Sequence, residues 1–151
     1  MENLHSVRDD RSLGELAVDG LTGGLIAGVA MALLLVLIGL GSGKAPAVTL
    51  GYFNPAQDGN WLSGLLAHLA VSAVYGTLFG LVIFGLKQVR PTLLMHTWLL
   101  GMVYGLLLYL AAIGLIFKAV DAPVMQVGTW QFGAVHLIYG MVLGFWLARS
   151  Q

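Results

Sequence analysis

Four long stretches of this chain carry no charged side chain, and this feature constrains the fold more than any other. The uncharged windows run over 20–43, 59–86, 91–117 and 122–148. Each window can cross a bilayer, which takes about 20 apolar residues. The chain is also 58% hydrophobic and 9% charged, with a mean hydropathy of +0.87, far from the composition of soluble domains. An integral membrane protein is therefore predicted.

The uncharged windows are predicted to be helices. In hydrocarbon, backbone N–H groups need partners within their own segment unless strands close into a barrel. Barrel strands alternate apolar and polar residues, and runs such as 31–38 and 106–110 do not. We therefore predict an all-α integral membrane fold, a four-helix transmembrane bundle over 20–148. Its helices lie near 20–40, 61–86, 93–117 and 130–148, after a cytoplasmic segment over 1–19.

The first window has a second interpretation, as a signal peptide cleaved after 45–47. Its apolar run is longer than the core of a signal peptide, and acidic residues lie in the segment before it. These two features favour a retained helix.

The distribution of basic residues predicts the orientation. With four spans, both termini and the loop 87–90 lie on one side, which holds five basic residues against two on the other. Short basic loops resist translocation, so the first side is predicted to be cytoplasmic. The five are Arg8, Arg11, Lys87, Arg90 and Arg149, and the two are Lys44 and Lys118.

The tryptophans support the same span boundaries. Trp61 and Trp130 fall at the outer ends of the second and fourth helices, and Trp98 and Trp146 fall at inner ends. Tryptophan prefers the headgroup level, so these positions indicate interfaces rather than a cofactor site.

The loop over 41–60 is the one sizeable segment predicted outside the spans. Its glycines, prolines and asparagines are typical of turns. Tyr52 and Phe53 within it are expected to lie on the bilayer surface, and contact with the outer loops of a partner is the alternative.

Small residues spaced by four suggest a duplicated helical hairpin. The second and fourth helices carry matching stripes, and the first and third helices carry the pairs Gly24 with Gly28 and Gly101 with Gly105. Such residues let helix backbones approach closely, either inside one bundle or against a neighbouring subunit. The stripes are His68, Ser72, Gly76 and Gly80, and His136, Gly140, Gly144 and Ala148.

His68 and His136 are the sharpest candidates for a cofactor site. Both follow a tryptophan by two turns of helix and are predicted at the same depth. Two level imidazoles in a bundle could ligate a b-type haem. The alternative is that each neutral ring hydrogen-bonds to a tyrosine, serine or carbonyl, and no cofactor is bound.

Tyr104 and Tyr139 are predicted to share a depth near the inner interface. They could line a quinone or lipid pocket. The alternative, which we favour, is that they are core hydroxyls paired with carbonyls.

Other classes of function are disfavoured by composition. Net charge is zero and cysteine is absent, so neither a nucleic-acid surface nor a thiolate metal site is expected. No charged side chain lies inside a span, which disfavours a lone solute transporter. No acid or oxyanion donor accompanies the histidines, so we expect no enzyme. The favoured interpretation is an accessory membrane subunit of a respiratory or photosynthetic complex; alternatives are a small haem or quinone protein and an oligomeric channel or transporter.

Several short motifs resemble the YagU-like family of small four-helix bacterial inner-membrane proteins. They are the glycine-flanked segment 24–28, Asn54-Pro55, His68 with Ser72 and Tyr75, and His136-Leu137. The resemblance implies a bacterial inner membrane and no catalytic residues. Where the family pattern has two adjacent prolines in the loop, this chain has one, followed by Ala56.

Overall fold

The computed structural model describes residues 11–116 and 126–149, and the described part is helical with no strand. Four helices are long and apolar enough to cross a membrane, so the prediction of a four-helix membrane bundle is confirmed. Helix α1 covers Leu13–Gly41, α2 covers Pro46–Gly51 and α3 covers Trp61–Val89. A 3-10 turn over Pro91–His96 leads into α4, Thr97–Ala111, which continues as a π-helical turn over Ala112–Ile116. Helix α5 covers Thr129–Ala148.

Helix α1 begins seven residues before the predicted span, because residues just outside the apolar window provide a strong start. Ser12 accepts a hydrogen bond from the Glu15 N–H, and the Glu15 carboxylate accepts one from the Ser12 N–H. This reciprocal arrangement satisfies two N–H groups at the helix start. Arg11 forms an ion pair with Asp19 two turns into α1. The polar first turns therefore extend the helix beyond the apolar window.

The helices form two antiparallel hairpins, α1 with α3 and α4 with α5. We call the end where α1 finishes and α3 and α5 begin the loop end, and the opposite end the terminal end. Helices α1 and α5 join the hairpins: a Cβ added at Gly23 would lie 2.6 Å from the Trp146 ring and 3.1 Å from Leu143. Buried apolar side chains of α1, α3 and α5 form the core between the hairpins.

Aromatic residues stand at both ends of the bundle. Trp61 and Trp130 lie at the loop end and are 47% and 76% exposed. At the terminal end, the ring of Trp98 stacks on Phe145 with a centroid distance of 6.0 Å, and the Arg149 guanidinium lies 4.2 Å from the Trp146 ring. The two ends thus resemble the aromatic belts of membrane proteins. Arg8 and Lys118, which the orientation argument counted, lie outside the described residues.

Candidate functional site

The glycine stripes of the first hairpin face each other. A Cβ added at Gly24 would lie 2.8 Å from the Gly76 Cα, and one added at Gly20 would collide with the Gly76 carbonyl. Gly28 faces Ser72, whose Cβ and Oγ would each be 2.6 Å from an added Cβ. The backbones of α1 and α3 therefore meet at a distance that only glycine permits along this line.

The second hairpin repeats this contact. A Cβ added at Gly101 would lie 2.9 Å from the Gly144 Cα, and one at Gly105 would lie 3.2 Å from the Gly140 Cα. Each of these glycines also faces a carbonyl oxygen of α5, that of Gly140 or His136. All the small residues singled out in the sequence as helix-packing positions thus lie at contacts inside this chain. They are Gly24, Gly28, Ser72, Gly76, Gly80, Gly101, Gly105, Gly140 and Gly144.

The contacts agree with the match of stripes read in the sequence. Gly24 faces the Ser72 carbonyl and the Gly76 Cα, and Gly101 faces the Gly140 carbonyl and the Gly144 Cα. Ser72 and Gly140 therefore hold equivalent places in the two hairpins, and His68 stays the counterpart of His136. The two histidines nevertheless differ in their hydrogen-bond partners.

Tyr104 and Tyr139 connect the second hairpin to the first. The Tyr104 hydroxyl donates to the Tyr75 carbonyl at 2.8 Å, and the Tyr139 hydroxyl donates to the Ser72 carbonyl at 2.7 Å. Both acceptors lie on α3, and the Tyr104 ring stacks on Phe79 with a centroid distance of 4.9 Å. This is the arrangement expected of core hydroxyls, whereas binding of a quinone or lipid by these tyrosines stays a prediction.

His68 connects α3 to α1. Its Nε2 lies 3.0 Å from the Gly28 carbonyl oxygen, and the residue is 8% exposed. A carbonyl can only accept, so Nε2 carries the proton of the neutral ring and donates it here. Phe53 covers the ring with a centroid distance of 4.9 Å. His68 therefore closes the loop end of the first hairpin.

His136 bonds within its own helix. Its Nδ1 lies 2.8 Å from the Phe132 carbonyl oxygen, so Nδ1 is the donor of the neutral ring. The ring contacts Phe132 and Tyr109 with centroid distances of 4.4 and 6.1 Å. The two imidazoles thus have different partners and expose different ring nitrogens.

The residues as placed do not fit a b-type haem between the histidines. A bis-histidine site needs a nitrogen lone pair from each ring aimed at one iron atom. The Nε2 of His68 is instead turned to the backbone of α1, and Phe53 lies over the ring. Haem ligation through Nε2 of His68 would have to break the bond to Gly28. Within the described residues, no group of three His, Asp or Glu is placed to hold a metal ion.

A small cavity and a polar network at the loop end were not predicted. The cavity, of about 30 Å³, lies between α1, α2 and the start of α5 and includes Thr49 and Lys44 in its lining. That volume is enough for one or two water molecules. The buried Asn54 side chain accepts from the Ala56 N–H and the Ser63 hydroxyl and donates to Asp58. Asn54-Pro55 indicated a turn, but no pattern in the sequence indicated that the asparagine is buried.

No protein-family model, curated protein or solved structure matches the chain. The resemblance to the YagU-like family therefore stays a prediction.

The two tyrosine bonds can be measured one at a time. We expect Tyr104→Phe and Tyr139→Phe each to lower the free energy of unfolding by about 0.6–1.7 kcal/mol, because each removes one inter-helix hydrogen bond and keeps the ring. Tyr109→Phe is the matched control, since its hydroxyl makes no hydrogen bond with the described residues. Unfolding in detergent titrations gives the three values. Equal stability of all three variants would contradict the assigned bonds.

Proposed function

We propose that this chain is a structural, accessory subunit of a larger membrane complex. The observation that carries the proposal is that the polar groups singled out inside the spans are bonded within the chain. The hydroxyls of Tyr104 and Tyr139 and the rings of His68 and His136 all donate to backbone carbonyls. Such a bundle has a stable interior, and it offers apolar side chains to its surroundings.

The glycine contacts bear on how a partner would bind. Because the glycine stripes are used inside the chain, a partner would meet the outward apolar side chains instead. Among the described residues, the span Pro91–Gly114, which contains α4, is the least enclosed of the four: 22% of its most apolar window is buried, against 44% for α1. We therefore place the contact on the α4 face, defined by Leu99, Val103, Leu106, Leu107 and Leu110, all of which are more than 40% exposed.

The setting of the complex is proposed by analogy. Small, nearly all-membrane chains with few polar groups are typical of accessory subunits in respiratory and photosynthetic electron transport. A bacterial inner membrane, with both termini in the cytoplasm, is the proposed location; the excess of basic residues on the terminal side supports this orientation. An oligomeric channel or transporter stays a prediction that no described contact favours.

Gentle purification with site-specific crosslinking tests the proposal. We expect a tagged chain to bring down a companion in fixed ratio from mild detergent, and a photo-crosslinking residue at Leu107 to capture it. A crosslinker at Leu37 on α1 is the matched control, because Leu107 and Leu37 are 58% and 62% exposed. If the chain runs alone in several detergents and neither position captures another protein, the accessory role is wrong. Capture of a second copy alone would indicate a homo-oligomer instead.

A further inference from the structure

The loop between α1 and α3 packs on its own chain through the residues that the sequence placed on the bilayer surface. Phe53 is half-buried and covers His68. Tyr52 is also half-buried, and the Lys44 ammonium lies 5.0 Å from the centre of its ring. Both aromatics thus help to fold the loop, and the contact of their exposed parts with the bilayer surface or with a partner stays a prediction.

A different part of the loop faces outward. Helix α2 buries Thr49 and Gly51, and Thr49 packs against Gly39 at the end of α1. The N-cap and first turn of α2 expose four consecutive apolar residues, which we call the α2 face: Ala45, Pro46, Ala47 and Val48. No charged side chain occurs between Ala45 and Ala56. The α2 face is thus apolar and uncharged, although it lies outside the predicted spans.

Exposed apolar residues also stand at the helix ends that precede and follow α2 in the chain. Leu40 at the end of α1 is 51% exposed, and Trp61 and Leu62 at the start of α3 are 47% and 49% exposed. The nearest cation is turned away, since the Lys44 ammonium reaches the Gln126 carbonyl oxygen at 3.4 Å. Exposed apolar residues thus occur at the end of α1, on α2 and at the start of α3, and short turns with polar residues such as Ser42 and Asp58 separate them.

The backbone hydrogen bonds of α2 bear on how deeply the helix can lie in the bilayer. Pro46 has no N–H, and the N–H groups of Val48 and Thr49 both donate to the Ala45 carbonyl. This leaves little unpaired backbone in the first turn, although a six-residue helix cannot satisfy all of its polar ends internally. Such an element suits the boundary between headgroups and acyl chains, where water still reaches the helix ends.

We propose that α2 is an interfacial helix whose occupant is the lipid of the adjacent leaflet, with the α2 face resting on the upper acyl chains. The proposal does not depend on the existence of a partner complex. It gives the loop end a fixed position relative to the bilayer and makes α2 an anchor for the loop that covers His68.

Single cysteines can test this cleanly, because the native chain has none. Ala47→Cys probes the α2 face, Ala56→Cys probes an exposed position in the polar turn of the same loop, and Ala70→Cys probes an exposed position inside the α3 span. All three are the same substitution. Each is labelled with a nitroxide and reconstituted in phosphatidylcholine vesicles, and its collision rates with oxygen and with a water-soluble nickel chelate are measured.

We expect the oxygen-to-nickel collision ratio at residue 47 to be several-fold higher than at residue 56 and to approach that at residue 70, because oxygen concentrates in lipid. A ratio at residue 47 equal to that at residue 56 would overturn the proposal. Low collision rates with both reagents would also overturn it, since they would show a protein covering the α2 face. If Ala47→Cys does not fold, Val48→Cys, at a position 47% exposed, provides the same comparison.

Discussion

Gly76→Ala is expected to destabilise the bundle by about 3 kcal/mol, the effect of overpacking a closely fitted contact. An added Cβ would lie 2.8 Å from the Gly24 N and would collide with the Gly20 carbonyl. Both groups are backbone atoms of a long helix, so neither can move aside as a side-chain end would. The hairpin must separate along its whole length, which also strains the His68 bond to Gly28. The midpoint of thermal unfolding in detergent should fall accordingly.

Gly85→Ala is the control for this experiment. Gly85 lies on the same helix, and a Cβ added there meets no atom within 4 Å. Its substitution should leave stability unchanged or raise it slightly, because alanine favours helix over glycine. Equal unfolding midpoints for the Gly76 and Gly85 variants would show that α1 and α3 do not meet at these glycines.

The spans could be predicted from the sequence because they follow from one strong energetic term. Charged side chains are costly in hydrocarbon, so windows without them indicate where the membrane lies. The start of α1 could not be predicted in this way. Glu15 and Asp19 are charged, so the first turns of the helix lie outside the apolar window. A cap formed by Ser12 and Glu15 nevertheless extends α1 through these turns. Local hydrogen bonding decided the boundary, and hydropathy does not report it.

The small-residue stripes could also be predicted from the sequence, because their spacing places them on one face of a helix. The register between the two helices of a hairpin could not. A step of four residues shows that Gly76 and Gly140 share a face with other small residues. It cannot show which turn of the partner helix each residue meets, because a shift of one turn replaces one small residue with another. The partner of His68, the Gly28 carbonyl, depends on that register and could therefore be found only from three-dimensional contacts. His136 instead bonds to the Phe132 carbonyl one turn back in its own helix.

Gly140→Ala is expected to have an effect as large as Gly76→Ala, because both glycines face the glycine backbone of the partner helix, and this equality tests whether the two hairpins pack alike. A Cβ at Gly140 would lie 2.8 Å from the Gly101 carbonyl carbon and 3.0 Å from the Gly105 N, again backbone atoms. We expect a loss of about 3 kcal/mol in the free energy of unfolding. Gly133→Ala on the same helix is the control, since its Cβ would make an ordinary contact of 3.4 Å with the Tyr109 ring.

The comparison of the two hairpins also tests how they depend on each other. Tyr104 and Tyr139 donate from the second hairpin to carbonyls of α3, next to the contact that Gly76 makes. If the bundle unfolds as one unit, Gly76→Ala and Gly140→Ala should each give a single unfolding transition with a lowered midpoint temperature. If Gly140→Ala instead produces a separate early transition, while α1 and α3 unfold only in a later one, the hairpins are independent units. A stability of Gly140→Ala equal to that of Gly133→Ala would contradict the close α4–α5 contact, and with it the structural repeat.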